Sequence, residues 1–248
     1  MLALIDDLTW IRLMVELSHV VTDFLVVGFN VLFSLLILQV SPFRMNKTLT
    51  VWFTLFFIAS AINPLSKALD IMYPPESSFG NLMIEKCCFI FYGLSGLAAF
   101  NIASKLCFAK KLRKRLTLVS YFMFVVMSLC MMTLDYNFLI LLVHNSVGFL
   151  FLQFALLVLF YKKWEKSIAY GVLGVLLCFL SLMVRQLSMG INNEVIGLNL
   201  FFDSLALAST YLLYRCAKYF VRKENLKQLP HTAFVKPTYS CPLARTAL

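Results

Sequence analysis

Charged residues are scarce in this sequence: only 14% of its 248 residues are Asp, Glu, Lys or Arg, whereas 61% are hydrophobic. A soluble domain of this size could not cover so large an apolar interior with so little polar surface, so the soluble globular class is excluded. The sequence also contains no HExxH, GxSxG, P-loop or GxGxxG pattern. Their absence removes the common signatures of soluble hydrolases and nucleotide-binding proteins.

Histidine and paired cysteine are also rare. The three histidines are His19, His144 and His231, and His231 lies in the polar C-terminal segment. The two that remain in the apolar part are too few for a three-histidine zinc site. The seven cysteines form no CxxC pair, and the adjacent Cys87 and Cys88 do not suit ordinary disulfide geometry. We therefore expect no metal and no cofactor, with the cysteines serving as small apolar core residues.

Apolar runs with few charges recur at the length that crosses a bilayer, about 20 residues. The runs are continuous and rich in Leu and Phe, which favours helices over alternating strands. The sequence thus predicts an all-α membrane protein with seven transmembrane helices, near residues 16–40, 48–70, 84–108, 116–134, 138–160, 168–189 and 195–215. One membrane domain would cover residues 1–222, and residues 223–248 would form a flexible cytoplasmic tail.

The basic residues predict how the helices are oriented. Eighteen of the 22 lysines and arginines lie beside the ends of helices 1, 3, 5 and 7 that share one side. Since cytoplasmic segments collect Lys and Arg, the N-terminus is expected outside and the C-terminus in the cytoplasm. On this topology "KKLRKR" (110–115) is a stop-transfer loop rather than a nucleic-acid site, and "DDLTWIRLMVEL" (6–17) is a short interfacial helix. The expected location is multi-pass in a plasma or inner membrane.

Four predicted helices carry polar residues at steps of three, four or seven, which place them on one helix face. These faces comprise Glu16, His19, Asp23, Asn30 and Ser34 in helix 1; Ser60, Asn63, Lys67 and Asp70 in helix 2; Cys178, Ser181, Arg185 and Ser188 in helix 6; and Asn199, Asp203, Ala206 and Thr210 in helix 7. Helix 5 adds the neighbours His144 and Asn145. Because polar groups are costly in hydrocarbon, the faces should turn from lipid toward one another.

The ionisable residues of these faces concentrate in the outer half of the predicted bundle, at depths of roughly 5–12 Å for about 1.5 Å of rise per residue. The inner half, in contrast, is predicted to be nearly all Leu, Phe, Val and Ala. We therefore predict an outward-facing polar pocket in which Arg185 pairs with Asp203 or Asp23, while solvent accounts for Glu16 and His19. The candidate ligand- or ion-binding residues are Asp23, Asn63, Lys67, His144, Asn145, Arg185, Asn199 and Asp203.

These features favour a non-enzymatic, sensor- or transporter-like protein that binds or passes a small polar ligand, ion or proton. One alternative is an intramembrane lipid hydrolase or transferase that uses Asp23, His144 and Asp203 without a three-histidine zinc site. Another is a structural subunit of a membrane complex, whose polar faces only pair helices while Arg185 snorkels to the surface. The expected partners are the lipid bilayer, a small polar ligand or ion, and in the last case another membrane protein; nucleic acid is not expected.

Overall fold

The structure is a computed structural model that describes residues 2–40, 48–72, 79–134, 137–190 and 196–228. Side chains are described for residues 17–40, 48–66, 84–134, 139–181 and 201–224, and for Ala68, Leu69 and Met72. These parts of the chain contain seven α-helices. They are α1 (Leu2–Val40), α2 (Thr48–Met72), α3 (Phe79–Cys107), α4 (Lys110–Thr133), α5 (Asn137–Lys163), α6 (Lys166–Gly190) and α7 (Ile196–Gln228).

Six of the helices close a ring, and α4 packs outside it. Around the ring each helix contacts the next in the order α1, α2, α3, α5, α6 and α7, and α7 returns to α1. The outlying α4 contacts α3 and α5 and buries only Ser120, Met127 and Met131. Its opposite face is apolar and open, with Leu118 71% and Phe122 68% exposed. Such a face is stable against lipid rather than water.

Five helical segments in the described part of the chain are long and apolar enough to cross a membrane. They are Leu17–Val40, Thr48–Ser66, Ile84–Cys107, Lys110–Thr133 and Leu139–Lys163. The described part of α6 adds a shorter apolar segment, Lys166–Ser181. The protein is therefore all-helical, with several helices that fit a multi-pass membrane protein.

The main apolar core lies toward the end of the ring where α1 ends and α2 begins. The Phe33 ring of α1 stacks on the Tyr214 ring of α7, with ring centroids 4.4 Å apart. The rings of Phe33 and Phe57, the latter from α2, meet edge to face. A smaller cluster of Tyr92, Met127, Met131 and Leu141 joins α4 to α3 and α5. Interlocking rings from non-adjacent segments fix the helices in one register.

The contact between α3 and α5 is unusually close. A β-carbon added at Gly148 would collide with the backbone of Gly96. At the same place Asn145 Oδ1 accepts a hydrogen bond from the Gly96 backbone N–H at 3.2 Å, and His144 Nε2 lies 3.2 Å from the Gly93 carbonyl oxygen. Small residues that let two backbones approach are the usual means of helix packing in membranes.

Three helix boundaries differ from the sequence-based expectation. The helix α1 runs without interruption from Leu2, so the opening segment is no separate interfacial helix. Residues 110–115 form the first turns of α4 rather than a loop. The helix α7 continues to Gln228, past the boundary at 222. Hydropathy marks where a helix meets hydrocarbon, whereas backbone hydrogen bonds continue into water.

Two buried polar contacts lie toward the end of the bundle where α3 ends and α4 begins. Lys105, near the end of α3, forms an ion pair with Glu224 of α7 at 2.5 Å, with side chains only 16% and 12% exposed. Nearby, Asn101 of α3 donates a hydrogen bond to Ser120 of α4 at 2.9 Å, and both are buried. Asn101 and Lys105 are four residues apart and share one face of α3. Their partners, Ser120 and Glu224, lie on other helices and become visible only once the helices are paired.

Candidate functional site

A cavity of about 80 Å³ lies within the ring of helices. Since roughly 10–15 Å³ of such space is enough for one buried water, the cavity has room for several waters or a small ligand. Its lining comes mainly from α1, α2, α6 and α7, with one residue each from α3 and α5. The lining residues are Asp23, Val26, Asn30, Phe56, Ser60, Asn63, Pro64, Tyr92, Phe149, Cys178, Ser181, Asp203, Ala206, Ser209, Thr210 and Leu213.

The residues that the helical periodicity grouped together account for most of the polar part of this lining; Tyr92 and Ser209 are polar lining residues that it did not group. Steps of three, four and seven residues return a side chain to the same face of a helix, and the ring turns four such faces inward. The shared positions are Asp23 and Asn30 on α1, Ser60 and Asn63 on α2, Cys178 and Ser181 on α6, and Asp203, Ala206 and Thr210 on α7.

Asp203 ties the last helix to the first. Its Oδ2 accepts a 2.7 Å hydrogen bond from the Thr22 hydroxyl of α1, and His19 Nδ1 lies 3.9 Å from the same oxygen. The side chains of His19 and Asp203 are only 16% and 13% exposed. Sequence reasoning left out Thr22 and assigned His19 to solvent. The sequence did contain a sign that the two residues act together: His19 and Thr22 are three residues apart, which places both on one turn of α1.

Asp23 supplies a second carboxylate to the cavity. It is 4% exposed and lies on α1, one residue beyond the threonine that contacts Asp203. An ionised carboxylate among apolar helices is expensive unless other groups or a ligand compensate its charge. Two carboxylates on one cavity give it an acidic character.

Three hydroxyl groups of the lining offer acceptors toward the cavity, those of Ser181, Ser209 and Thr210. Ser181 donates to the Phe202 carbonyl at 3.4 Å, Ser209 to the Gly174 carbonyl at 2.8 Å, and Thr210 to the Ala206 carbonyl at 2.8 Å. Each hydroxyl has one proton to donate and two lone pairs to offer. With the proton used on a backbone carbonyl, only lone pairs remain for a molecule in the cavity.

Pro64 adds a further acceptor to the wall. It lies inside α2 and lines the cavity together with Ser60, four residues earlier. Proline has no backbone N–H, so the Ser60 carbonyl loses the helical donor that it would otherwise have at this position. Broken helical hydrogen bonds of this kind supply carbonyl ligands to ions in membrane transporters.

The other predicted site residues lie elsewhere or outside the described side chains. His144 and Asn145 belong to the α3–α5 contact and are not part of the cavity lining. The alternative hydrolase triad of Asp23, His144 and Asp203 is therefore not brought together. Among the described residues no three His, Cys, Asp or Glu side chains are placed to hold a metal.

The side chains of Lys67, Arg185 and Asn199 lie outside the described side chains, although their backbones belong to α2, α6 and α7. The pairing of Arg185 with Asp203 or Asp23 thus remains a prediction. Both contacts described for Asp203, the Thr22 hydrogen bond and the His19 contact, involve its Oδ2 atom and not its Oδ1 atom.

The described part of the chain is a helical bundle of the kind found in multi-pass membrane proteins. At least five of its helices are long and apolar enough to cross a bilayer, and a cavity lies inside the ring of helices. The chain belongs to a family of unknown function, DUF6962, whose profile matches residues 18–221. The matched region contains every residue that lines the cavity. No curated protein and no solved structure matches the chain.

Proposed function

We propose that the chain crosses the membrane seven times, with its N-terminus outside and its C-terminus in the cytoplasm. Two observations beyond the five apolar segments support this topology. The helices α6 and α7 complete the same ring as the other spans, and their 25 and 33 residues correspond to lengths of about 37 and 50 Å, more than the ~30 Å hydrocarbon core. The basic residues cluster at one end, where Tyr161 and Trp164 are also 78% and 73% exposed, as in an interfacial aromatic belt.

The topology predicts which sites reagents reach. A cysteine at position 111, introduced into a cysteine-free variant, should resist an impermeant thiol reagent added to intact cells and react after permeabilisation. A cysteine at position 77, between helices 2 and 3 in the sequence, should react in intact cells. The "NKT" sequon at Asn46 should carry no glycan in a eukaryotic host, because glycans are added on the opposite side. A glycan on Asn46, or labelling of position 111 from outside, would reverse the orientation.

We further propose that the protein binds or passes a small polar ligand, ion or proton through the cavity, as a sensor- or transporter-like module. The observation that carries this proposal is the chemistry of the lining. Two carboxylates, Asp23 and Asp203, share one cavity with hydroxyls that present lone pairs and with the Ser60 carbonyl freed by Pro64. A set of oxygen acceptors attracts a cation or a proton and disfavours an anion.

The position of the carboxylates supports the same proposal. A surface carboxylate would be solvated, and a packing pair would need no cavity beside it. Asp203 instead lies at the cavity wall with one oxygen toward Thr22 and His19. Buried acids beside water-sized space are the usual elements of proton and cation pathways in membrane proteins.

Neutralising Asp203 tests this function. In proteoliposomes that contain a pH-sensitive or a sodium-sensitive dye, we expect wild-type protein to carry proton or sodium flux, respectively, down an imposed gradient. We expect Asp203→Asn to reduce it at least tenfold, because the amide has similar shape but no charge. Asp23→Asn should act in the same direction. Glu85→Gln removes an exposed carboxylate of α3 outside the cavity and serves as the matched control. Equal flux in wild type, Asp203→Asn and empty liposomes would refute a transport role.

A binding role without transport has its own readout. Thermal unfolding of detergent-solubilised protein should then shift with pH or sodium in wild type and not in Asp203→Asn. If neither flux nor ligand-dependent stability distinguishes the two proteins, the cavity carboxylates serve packing alone.

A further inference from the structure

A second concave surface lies at the opposite end of α7 from Asp203. It is a groove of about 710 Å³ between the start of α6 and the last turns of α7. We call it the basic groove. It is lined by Glu165, Ser167, Tyr211, Tyr214, Arg215, Lys218, Tyr219, Arg222 and Lys223. The seven residues from α7 recur at steps of three and one, so they form one continuous face of that helix.

Most of the cationic side chains of the basic groove contact tyrosine rings rather than carboxylates. The Arg215 guanidinium lies 5.4 Å from the centre of the Tyr170 ring, Lys218 Nζ lies 5.7 Å from that of Tyr214, and Lys223 Nζ lies 5.1 Å from that of Tyr219. A ring face attracts a cation without cancelling its charge. The arrangement therefore orients the cations and leaves them positive.

The charge of the basic groove is strongly positive. Four of its lining residues are cations, Arg215, Lys218, Arg222 and Lys223, and the single acidic residue in the lining is Glu165, whose Oε1 lies 3.5 Å from Lys223 Nζ. The start of α6 also places the positive end of its helix dipole near Ser167, which favours a negative group. An excess of three positive charges matches a multiply charged anion better than a singly charged one.

On the proposed seven-span topology, the basic groove lies at the level of the lipid headgroups. The exposed rings of Tyr161 and Trp164 at the end of α5 are at the same end of the bundle, next to the α6 start. Aromatic residues of this kind occupy the level of the headgroups in a bilayer. Basic pockets between transmembrane helices at this level recognise phosphorylated headgroups.

We propose that the basic groove binds the headgroup of a membrane lipid that carries phosphate monoesters. The guanidinium of Arg215 and the ammonium groups of Lys218, Lys223 and neighbouring Arg222 would contact the phosphates, and the tyrosine hydroxyls would donate to the remaining oxygens. None of these residues lines the cavity around Asp203. The basic groove is therefore a separate site, and its test is independent of cation flux.

Binding can be measured on the full chain in a neutral detergent at fixed ionic strength. The probe is a short-chain phosphatidylinositol bisphosphate, titrated beside short-chain phosphatidylcholine, the free inositol phosphate headgroup and inorganic phosphate. We expect saturable binding of the bisphosphate lipid, at least tenfold tighter than any of the three comparison molecules. Equal affinity for the free headgroup would overturn the lipid assignment in favour of a soluble phosphate, and absence of saturable binding would overturn the site.

The variant pair Lys218→Gln with Arg222→Gln tests where the lipid binds. Two charges lost near a headgroup should weaken binding about 30-fold. The control is Lys111→Gln with Lys114→Gln, which removes the same charge from exposed positions of α4 at the same end of the bundle. Similar losses in both double variants would show that the whole basic rim attracts the lipid and would refute a specific groove. Unchanged thermal unfolding of the groove variant confirms that it remains folded.

Discussion

Replacing Gly148 with alanine is expected to destabilise the protein by about 3 kcal/mol, near the upper end of the usual range for overpacking. The reason is geometric. A β-carbon at this position meets the Gly96 backbone of α3, and a helix backbone cannot rotate aside as a side chain does. The helices α3 and α5 would have to separate, which would also lengthen the hydrogen bond from the Gly96 N–H to Asn145.

Thermal unfolding in detergent, followed by circular dichroism, measures this effect. A loss of this size lowers the melting temperature by roughly 6–12 °C for a chain of this length. Gly28→Ala is the matched control, because a β-carbon there meets nothing within 4 Å and alanine favours a helix. Equal melting temperatures for Gly148→Ala and Gly28→Ala would show that α3 and α5 do not approach as closely as described.

The second large effect concerns the buried ion pair between Lys105 of α3 and Glu224 of α7. Lys105→Met should destabilise the protein by about 3–5 kcal/mol, since it leaves the Glu224 carboxylate without its partner. Glu224 Oε2 already has no hydrogen-bond partner among the described residues, so little else there can compensate the charge. The melting temperature should fall by roughly 6–20 °C.

Two controls separate a stranded charge from loss of packing. Adding Glu224→Leu to Lys105→Met should restore much of the stability, because an apolar pair no longer buries a lone charge. The exposed counterpart is the pair of Lys223 and Glu165, at 3.5 Å with side chains 38% and 35% exposed. Glu165→Gln should cost less than about 1 kcal/mol, as for other solvated pairs. If the Lys105 and Glu165 variants unfold alike, the Lys105–Glu224 pair is solvated in solution.

The fold was largely predictable because a helix that crosses the hydrocarbon of a bilayer needs about 20 mostly apolar residues in a row. The positions of all seven helices follow from apolar runs with few charges, and only the helix ends differ. The end of α7 shows why. Its last turns carry Arg222, Lys223 and Glu224, which hydropathy reads as a tail, yet Glu224 pairs with Lys105 of α3. A contact over this sequence distance leaves no mark in a local pattern.

The cavity was predictable in part for the same reason. Periodicity finds which side of a helix is polar, and this was enough to bring Asp23, Asn63 and Asp203 together on one list. It does not show which faces meet. His144 has the same polarity as the cavity residues and lies at the α3–α5 contact instead, whereas His19 was assigned to solvent and lies beside Asp203. Partner choice between helices depends on backbone approach, which glycine positions such as 96 and 148 influence more than polarity does.

The bond between Thr22 and Asp203 also determines when during biosynthesis the molecule is completed. These residues are 181 positions apart, so the ribosome needs about 10–40 s after making the first helix before the seventh can dock on it. Through this interval the Thr22 hydroxyl has no Asp203 to contact, and the ring is open between α1 and α6. A nascent chain that stops after α6 would keep the cavity face of α1 uncovered, which is a chemical difference between an unfinished chain and a finished one.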